Sequence, residues 1–228
     1  MFAWKTSQNS TIRLIKVGIT NCYFIESDGI TILVDTGQKR RSTNLITTLN
    51  AYLAGNSLDY LVLTHTHYDH AENSKLIKER YSPQLIVHQT ESDFLRKGFT
   101  KLPKGTNLIS KIISNSGNKY ASWIGKYEPV EPDILVDDSY NIRAGNQLKL
   151  IHTPGHTIGS LSILVNDELA IVGDTLFGIF PNKILPPFAD DEVELKRSWK
   201  KLSYTSCRLF LPAHGKIIKR ELLEKHIN

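Results

Sequence analysis

The apolar run LDYLVL, Leu58 to Leu63, is followed at once by THTHYDHAEN, which sets His65, His67, Asp69 and His70 within six positions. The chain has eight histidines in all, so three of them fall in this one stretch. Several polar rings and a carboxylate at the end of a buried strand are costly unless something pairs with them. A metal ion satisfies all of them together, and this constrains the fold, because other segments must deliver further ligands to the same point. Three later stretches have the same form, a ligand-type residue just past an apolar strand. LKLIHTPGHTIGS offers His152 and His156, LAIVGDTLF offers Asp174, and RLFLPAHGK offers His214. Loops past the carboxyl ends of strands converge in α/β layers, which is where such folds place their chemistry.

The rest of the pattern agrees with an α/β layered chain. IRLIKVG, NCYFIES and TILVDTG are rich in β-branched and aromatic residues and are broken by turn residues such as Asp28-Gly29. Residues 42–54 carry Leu45, Ile46, Leu49 and Leu53 on one helical stripe, and AENSKLIKERY reads as a helix behind the histidine cluster. PQLIVHQ, QLKLIHT, SLSILVN and LAIVGDT read as strands, residues 191–204 as a helix, RLFLPA as a strand and the remainder as a helical tail. From about 91 to 138 glycine and proline interrupt the pattern, which suggests an insertion in a single domain spanning 1–228. Its aromatic residues Phe94, Phe99, Trp123 and Tyr127 are expected to wall an apolar pocket over the ligands.

At 228 residues the chain can bury one substantial core. It has no apolar stretch long enough for a membrane span and no secretory h-region, so a cytoplasmic location with no membrane partner is expected. Cys22 and Cys207 are far apart and read as packed thiols rather than a disulfide. The net charge of +5 gathers late, from Lys196 to Lys225, and reads as a solvated helix face rather than a nucleic-acid surface. A small-molecule substrate is the partner these features leave. Oligomeric state has no signature in the sequence.

Taken in order, H-x-H-x-D-H, TPGHTIGS, GDTLF and the late AHG resemble the metallo-β-lactamase fold superfamily, and VDTG resembles its first motif, with Asp35 as a structural aspartate. The resemblance implies an αββα sandwich of two mixed sheets flanked by helices. It implies one metal on His65, His67 and His156, a second on Asp69, His70 and His214, and Asp174 bridging them. Alternation on an extended segment points His65 and His67 to the same side. Nitrogen and carboxylate ligands without thiolate suit two Zn²⁺, with Mn²⁺ or Fe²⁺ also suited. The implied chemistry is hydrolysis by a hydroxide held between the metals, with Asp69 orienting it or relaying its proton. His152 is expected to hydrogen-bond locally or support a ligand, and His88 and His226 to have no catalytic role.

Among members of that superfamily the chain looks most like glyoxalase II, a thioester hydrolase, and Lys183 falls where that family carries a glutathione-binding lysine. Two departures matter. Glu72 replaces a small residue after the histidine motif, adding bulk and charge expected near the metals, and Phe177 stands where N-acyl homoserine lactonases carry a tyrosine. A small thioester or lactone is the expected substrate. Persulfide dioxygenases, which share the fold and use a single iron, supply the alternative of an oxidoreductase. β-Lactam cleavage ranks below both because β-lactamases carry Cys or Ser at the position of Asp174, and phosphodiester cleavage ranks below them for want of room for an RNA-binding arm.

Overall fold

The computed structural model describes residues 2–120, 125–142 and 148–227. Seven strands form one sheet in chain order: β1 (Ala3–Lys5), β2 (Thr11–Val17), β3 (Thr20–Ser27), β4 (Ile30–Val34), β5 (Tyr60–Val62), β6 (Gln84–His88) and β7 (Ile134–Val136). The first four are antiparallel; β4 to β7 run parallel. Helices α1 (Ser42–Leu53), α2 (Tyr68–Ala71), α3 (Ser74–Tyr81), α4 (Ser92–Lys97) and α5 (Leu108–Tyr120) lie between these strands in the chain. The second sheet has the order β13-β12-β11-β10-β9-β8, from β8 (Ser139–Ile142), β9 (Leu148–His152), β10 (Leu161–Val165), β11 (Leu169–Gly173), β12 (Leu209–Pro212) and β13 (Ile218–Lys219). Only β11 and β12 are parallel in it. Helices α6 (Glu192–Ser203) and α7 (Arg220–Ile227) complete the chain.

Three apolar clusters stack these elements into four layers. Ile12, Tyr23, Ile25, Ile32, Val34 and Val62 of the first sheet meet Leu150, Leu161, Ile163, Ile171 and Leu211 of the second. On the far side of the first sheet, Cys22, Phe24, Leu33 and Leu61 pack on Leu45, Leu49 and Leu53 of α1 and on Ile77 of α3. On the far side of the second, Leu164, Val172 and Phe210 pack on Leu195, Trp199 and Leu202 of α6 and on Leu223 of α7. The αββα sandwich expected from the sequence is therefore the fold. NCYFIES is a continuous apolar run because β3 is covered on both faces, odd residues toward one layer and even toward the other. Truncating the fully buried Phe24 to alanine is worth about 3–5 kcal/mol by the usual cost of aromatic truncation.

Local rules explain the ends of the elements. The Asp191 carboxylate accepts from the backbone N–H groups of Val193 and Glu194 at 2.8 and 3.0 Å, so α6 starts there. The helix expected over AENSKLIKERY starts only at Ser74, as α3, and is set apart from the single turn α2 by Asn73, whose amide donates to the carbonyls of Thr36 and Gly37. The stretch of loosened pattern holds α4 and α5, and its Ile134–Val136 joins the first sheet as β7. Four short strands, β1, β7, β8 and β13, have too few residues to show a period. No helix among the described residues is long and apolar enough to cross a membrane.

Candidate metal centre

Every candidate ligand follows a strand. His65 to His70 come directly after β5 of the first sheet, while His156, Asp174 and His214 come after β9, β11 and β12 of the second. The site thus lies at one end of the sandwich, between the sheets. At Gly173 the ladder between β11 and β12 shifts register and the backbone takes φ +51°. A Cβ there would come within 2.6 Å of the Thr64 hydroxyl, so only glycine lets Asp174 approach His65 this closely. Helix α6 holds both neighbouring loops: the Trp199 indole donates to the Thr175 carbonyl at 2.6 Å and the Ser198 hydroxyl to the Pro154 carbonyl at 2.7 Å.

The imidazoles are oriented from behind. His70 Nδ1 donates to Asp35 Oδ2 at 2.9 Å, His156 Nδ1 to the Phe188 carbonyl at 2.9 Å and His214 Nδ1 to the Ile19 carbonyl at 3.0 Å. A carbonyl or carboxylate oxygen only accepts, so each Nδ1 carries a proton and, in the neutral ring, each Nε2 presents its lone pair to a cation. Asp35 also accepts from the Thr64 backbone N–H and hydroxyl, and that hydroxyl lies 3.1 Å from His65 Nδ1. Asp35 stands at φ +59°, a left-handed backbone that a non-glycine residue seldom adopts.

The ligand atoms converge. Those of His65, His67 and His156 lie within 4.8 Å of one another, as do those of His65, His70 and Asp174, and those of Asp69, His70 and His214. His156 Nε2 is 3.2 Å from His65 Nε2 and 3.0 Å from His67 Nδ1, a cluster of lone pairs that a shared cation explains. Buried His70 Nε2 and Asp174 Oδ1 have no hydrogen-bond partner, yet they are 3.7 Å apart. This donor set fits divalent metal ions.

Electrostatics divide the rings. Burial, then the surrounding imidazoles, push His67 down to about 3 and hold His65 well below its ordinary range. Burial likewise takes His156 to about 3. Burial alone would lower His70 too, but Asp35, Asp69 and Asp174 override it and push it up to about 10. His214 is raised against its burial by Asp174 and Asp69. Burial would raise the Asp69 carboxyl; His70 and His214 outweigh it and hold it well below the usual carboxylate range.

A cleft of about 270 Å³ opens onto the cluster. His67, Asp69, His156, Asp174 and His214 form its floor, and Leu102, Pro103, Phe177, Ile179, Pro187 and Phe188 are among its walls. Among the described residues no lysine or arginine lines it. From the 91–138 stretch the lining residues are Leu102 and Pro103; the expected Phe94, Phe99 and Tyr127 do not reach it, and Trp123 lies outside the described residues. The reason is visible at Tyr127, whose hydroxyl is drawn to Thr100 Oγ1 at 2.8 Å, and at Phe94, which stands at the surface, 38% exposed. Glu72 turns away from the cluster and accepts from the Lys39 backbone N–H at 2.7 Å. Lys183 is exposed on the loop beyond Phe180 and is not in the lining.

Of the other histidines, His152 donates to the Ile158 carbonyl at 2.7 Å and stacks on His88 with ring centres 4.0 Å apart. His226 bonds the Leu222 carbonyl. Sequence reading missed Glu91. It is fully buried, and its carboxylate accepts from the Thr66 hydroxyl and backbone N–H and from the Gly159 N–H. It thereby fixes the peptide between His65 and His67. A lone glutamate opening a helix gives no sign of this in the sequence.

Residues 15–214 match the sequence model of the metallo-beta-lactamase superfamily. The chain belongs to that superfamily. It thus has the fold and the His/Asp metal-binding cluster of a superfamily whose members include metal-dependent hydrolases. It is 24% identical to the metallo-beta-lactamase fold-containing protein ST1585 of Sulfurisphaera tokodaii over 92% of this chain and 77% of that one. The solved structure of ST1585 superposes with a TM-score of 0.69 at 23% identity, covering 95% of this chain and 84% of that one. A B3 metallo-beta-lactamase, BLEG-1, gives 0.73 at 21% identity, covering 94% and 97%; at this identity the likeness is one of fold. A hydroxyacylglutathione hydrolase of Pelagibacter ubique is 30% identical over 56% of this chain but only 40% of its own length.

Proposed function

We propose that the chain is a dinuclear metal-dependent hydrolase that cleaves a small, uncharged ester-like substrate, a thioester or a lactone. The observation that carries this reading is the division of the Asp174 carboxylate. Its Oδ2 is 3.5 Å from His156 Nε2, whereas its Oδ1 is 3.7 Å from His70 Nε2 and 3.5 Å from His214 Nε2. One oxygen thus faces the His65, His67 and His156 group and the other faces the Asp69, His70 and His214 group, as a bridging ligand requires. Two bound zinc ions would supply an acidified water and polarise the scissile carbonyl.

The protein's own groups would do the rest. Asp69, an anion on the cleft floor with Thr20 Oγ1 at 3.3 Å, would accept the proton of the attacking water and return it to the departing sulfur or oxygen. The apolar walls would exclude bulk water and take an apolar acyl group. Phe177, its ring 5.2 Å from that of His214, offers apolar contact and no hydroxyl, which favours the thioester over the lactone. Lys183 would meet only the distal part of a substrate long enough to leave the cleft.

The grouping of two histidines with one aspartate, His65, His70 and Asp174, keeps a mononuclear iron oxidoreductase as the second reading. Metal analysis of protein purified without added metal, followed by a panel of thioesters, lactones and persulfides, separates the two. About two zinc ions per chain with ester-like turnover supports the hydrolase. About one iron per chain with oxygen consumption on a persulfide replaces it.

A further inference from the structure

Helix α5 is inverted relative to an ordinary surface helix. Its small residues Ser110 and Ser114 are buried, with the Ser114 hydroxyl donating to the Pro103 carbonyl at 2.6 Å. Its aliphatic residues Leu108, Ile109, Ile112 and Ile113 are 76%, 72%, 60% and 51% exposed. On a helix these four form one continuous stripe, opposite the serines. Four adjacent aliphatic side chains held in water call for a covering partner.

Charge indicates what that partner is. Between Phe94 and Tyr127 the sequence has seven basic residues, Arg96, Lys97, Lys101, Lys104, Lys111, Lys119 and Lys126, and no acidic one. Arg96 is paired with Glu131 and Asp93, and the Lys104 ammonium contacts the Asp190 carbonyl. Lys97, Lys101, Lys111 and Lys126 are exposed; Lys111, on the helix itself, shares a surface hollow with Asp190, Asp191 and Glu192, so the cations beyond that hollow outnumber the nearby carboxylates. An apolar stripe in a cationic field suits an anionic lipid surface. A second copy of the chain suits it poorly, since a two-fold contact would set the same lysines against themselves. A helix that lies on a bilayer needs no spanning segment.

We propose that α5 docks this protein onto anionic membranes, with Leu108, Ile109, Ile112 and Ile113 entering the lipid and the surrounding lysines meeting the headgroups. The helix rests on the wall of the cleft, because Pro103 is its hydrogen-bond partner and a Cβ at Gly117 would strike Leu102. Docking would therefore bring the cleft beside the bilayer, where an apolar ester is dissolved. This last consequence rests on the hydrolase reading; the docking itself does not.

The test is co-sedimentation of the metal-loaded full chain with phosphatidylcholine vesicles, with and without phosphatidylglycerol. Binding is expected only with phosphatidylglycerol, weakening as salt is raised. Ile109→Glu with Ile112→Glu, and separately Lys101→Glu with Lys111→Glu, should each reduce it by at least about tenfold. Circular dichroism and metal content establish that each variant is folded. Absence of binding by the unaltered chain, or equal binding by folded variants, overturns the proposal. So does a dimer in analytical ultracentrifugation that Ile109→Glu with Ile112→Glu dissociates. Turnover on a soluble thioester is read separately, so loss of membrane binding and loss of the hydrolase reading are distinguishable.

Discussion

Asp35 and His70 meet in the fully buried interior, Oδ2 to Nδ1 at 2.9 Å, and the same carboxylate holds Thr64, the residue before His65. One side chain thus orients a ligand from each metal group. Asp35→Asn keeps the left-handed backbone accessible but cannot accept the proton in the same way. Metal affinity should fall by about 10–100-fold, the usual range for a residue behind a ligand, with the fold retained. Competition with a fluorescent chelator measures it; unchanged affinity would remove Asp35 from the support of the centre.

The ligand assignment is tested by deletion. His67→Ala or Asp174→Ala should strip metal and abolish turnover. His88→Ala should do neither, since His88 stacks on His152 outside the cleft. Retained activity in the Asp174 variant would falsify the bridging role.

Proton release follows from the raised rings. In metal-free protein near neutral pH, His70, pushed up to about 10, is protonated, and His214 is raised as well. Ligation needs neutral imidazole, so metal uptake expels protons and affinity falls as pH drops. Calorimetry in buffers of differing ionisation enthalpy reads this directly. Buffer-independent heats would contradict it.

Stability of the metal-free protein carries both signs. His70 has a folded value above its unfolded one, so its contribution is complete below about pH 6.5 and is lost as pH rises through about 10. His67 and His156 are depressed to about 3, so their contribution is present above about pH 6.5 and is lost as pH falls toward about 3. Melting temperature after chelation should therefore peak near about pH 6.5. A steady climb to alkaline pH would show that the carboxylates do not hold His70 as described.

Glu91→Ala removes the acceptor for three buried donors at Thr66 and Gly159. The expected cost is about 3–5 kcal/mol, together with lower turnover, because the peptide between His65 and His67 loses its anchor. Denaturant unfolding and kinetics on the same preparation test both parts. Loss of neither would mean that water replaces the carboxylate.

The sequence made the cluster legible because metal ligation leaves a short-range trace: His65, His67, Asp69 and His70 sit in one hexapeptide, and Asp174 and His214 each close an apolar strand. Of the groups that orient them, Asp35 stands out in VDTG and the others leave none. His214 is held by the carbonyl of Ile19 and His156 by that of Phe188, and a backbone carbonyl has no side-chain identity to read. Strands β2 to β6 and β9 to β12 were readable from their apolar runs. The walls of the cleft were not: Phe99 and Tyr127 resemble pocket residues in composition, but hydrogen bonding and the path of the chain turn them elsewhere.

Four of the candidate ligands hang from the first sheet and three from the second, so any ion they share is a stitch across the seam of the sandwich. Without it, crowded imidazole nitrogens and the unpartnered Asp174 Oδ1 and His70 Nε2 remain at one end of that seam. A chain made where the metal is scarce should then open at that end and be degraded sooner. Its abundance in the cell, and not its turnover alone, is expected to follow the metal supply.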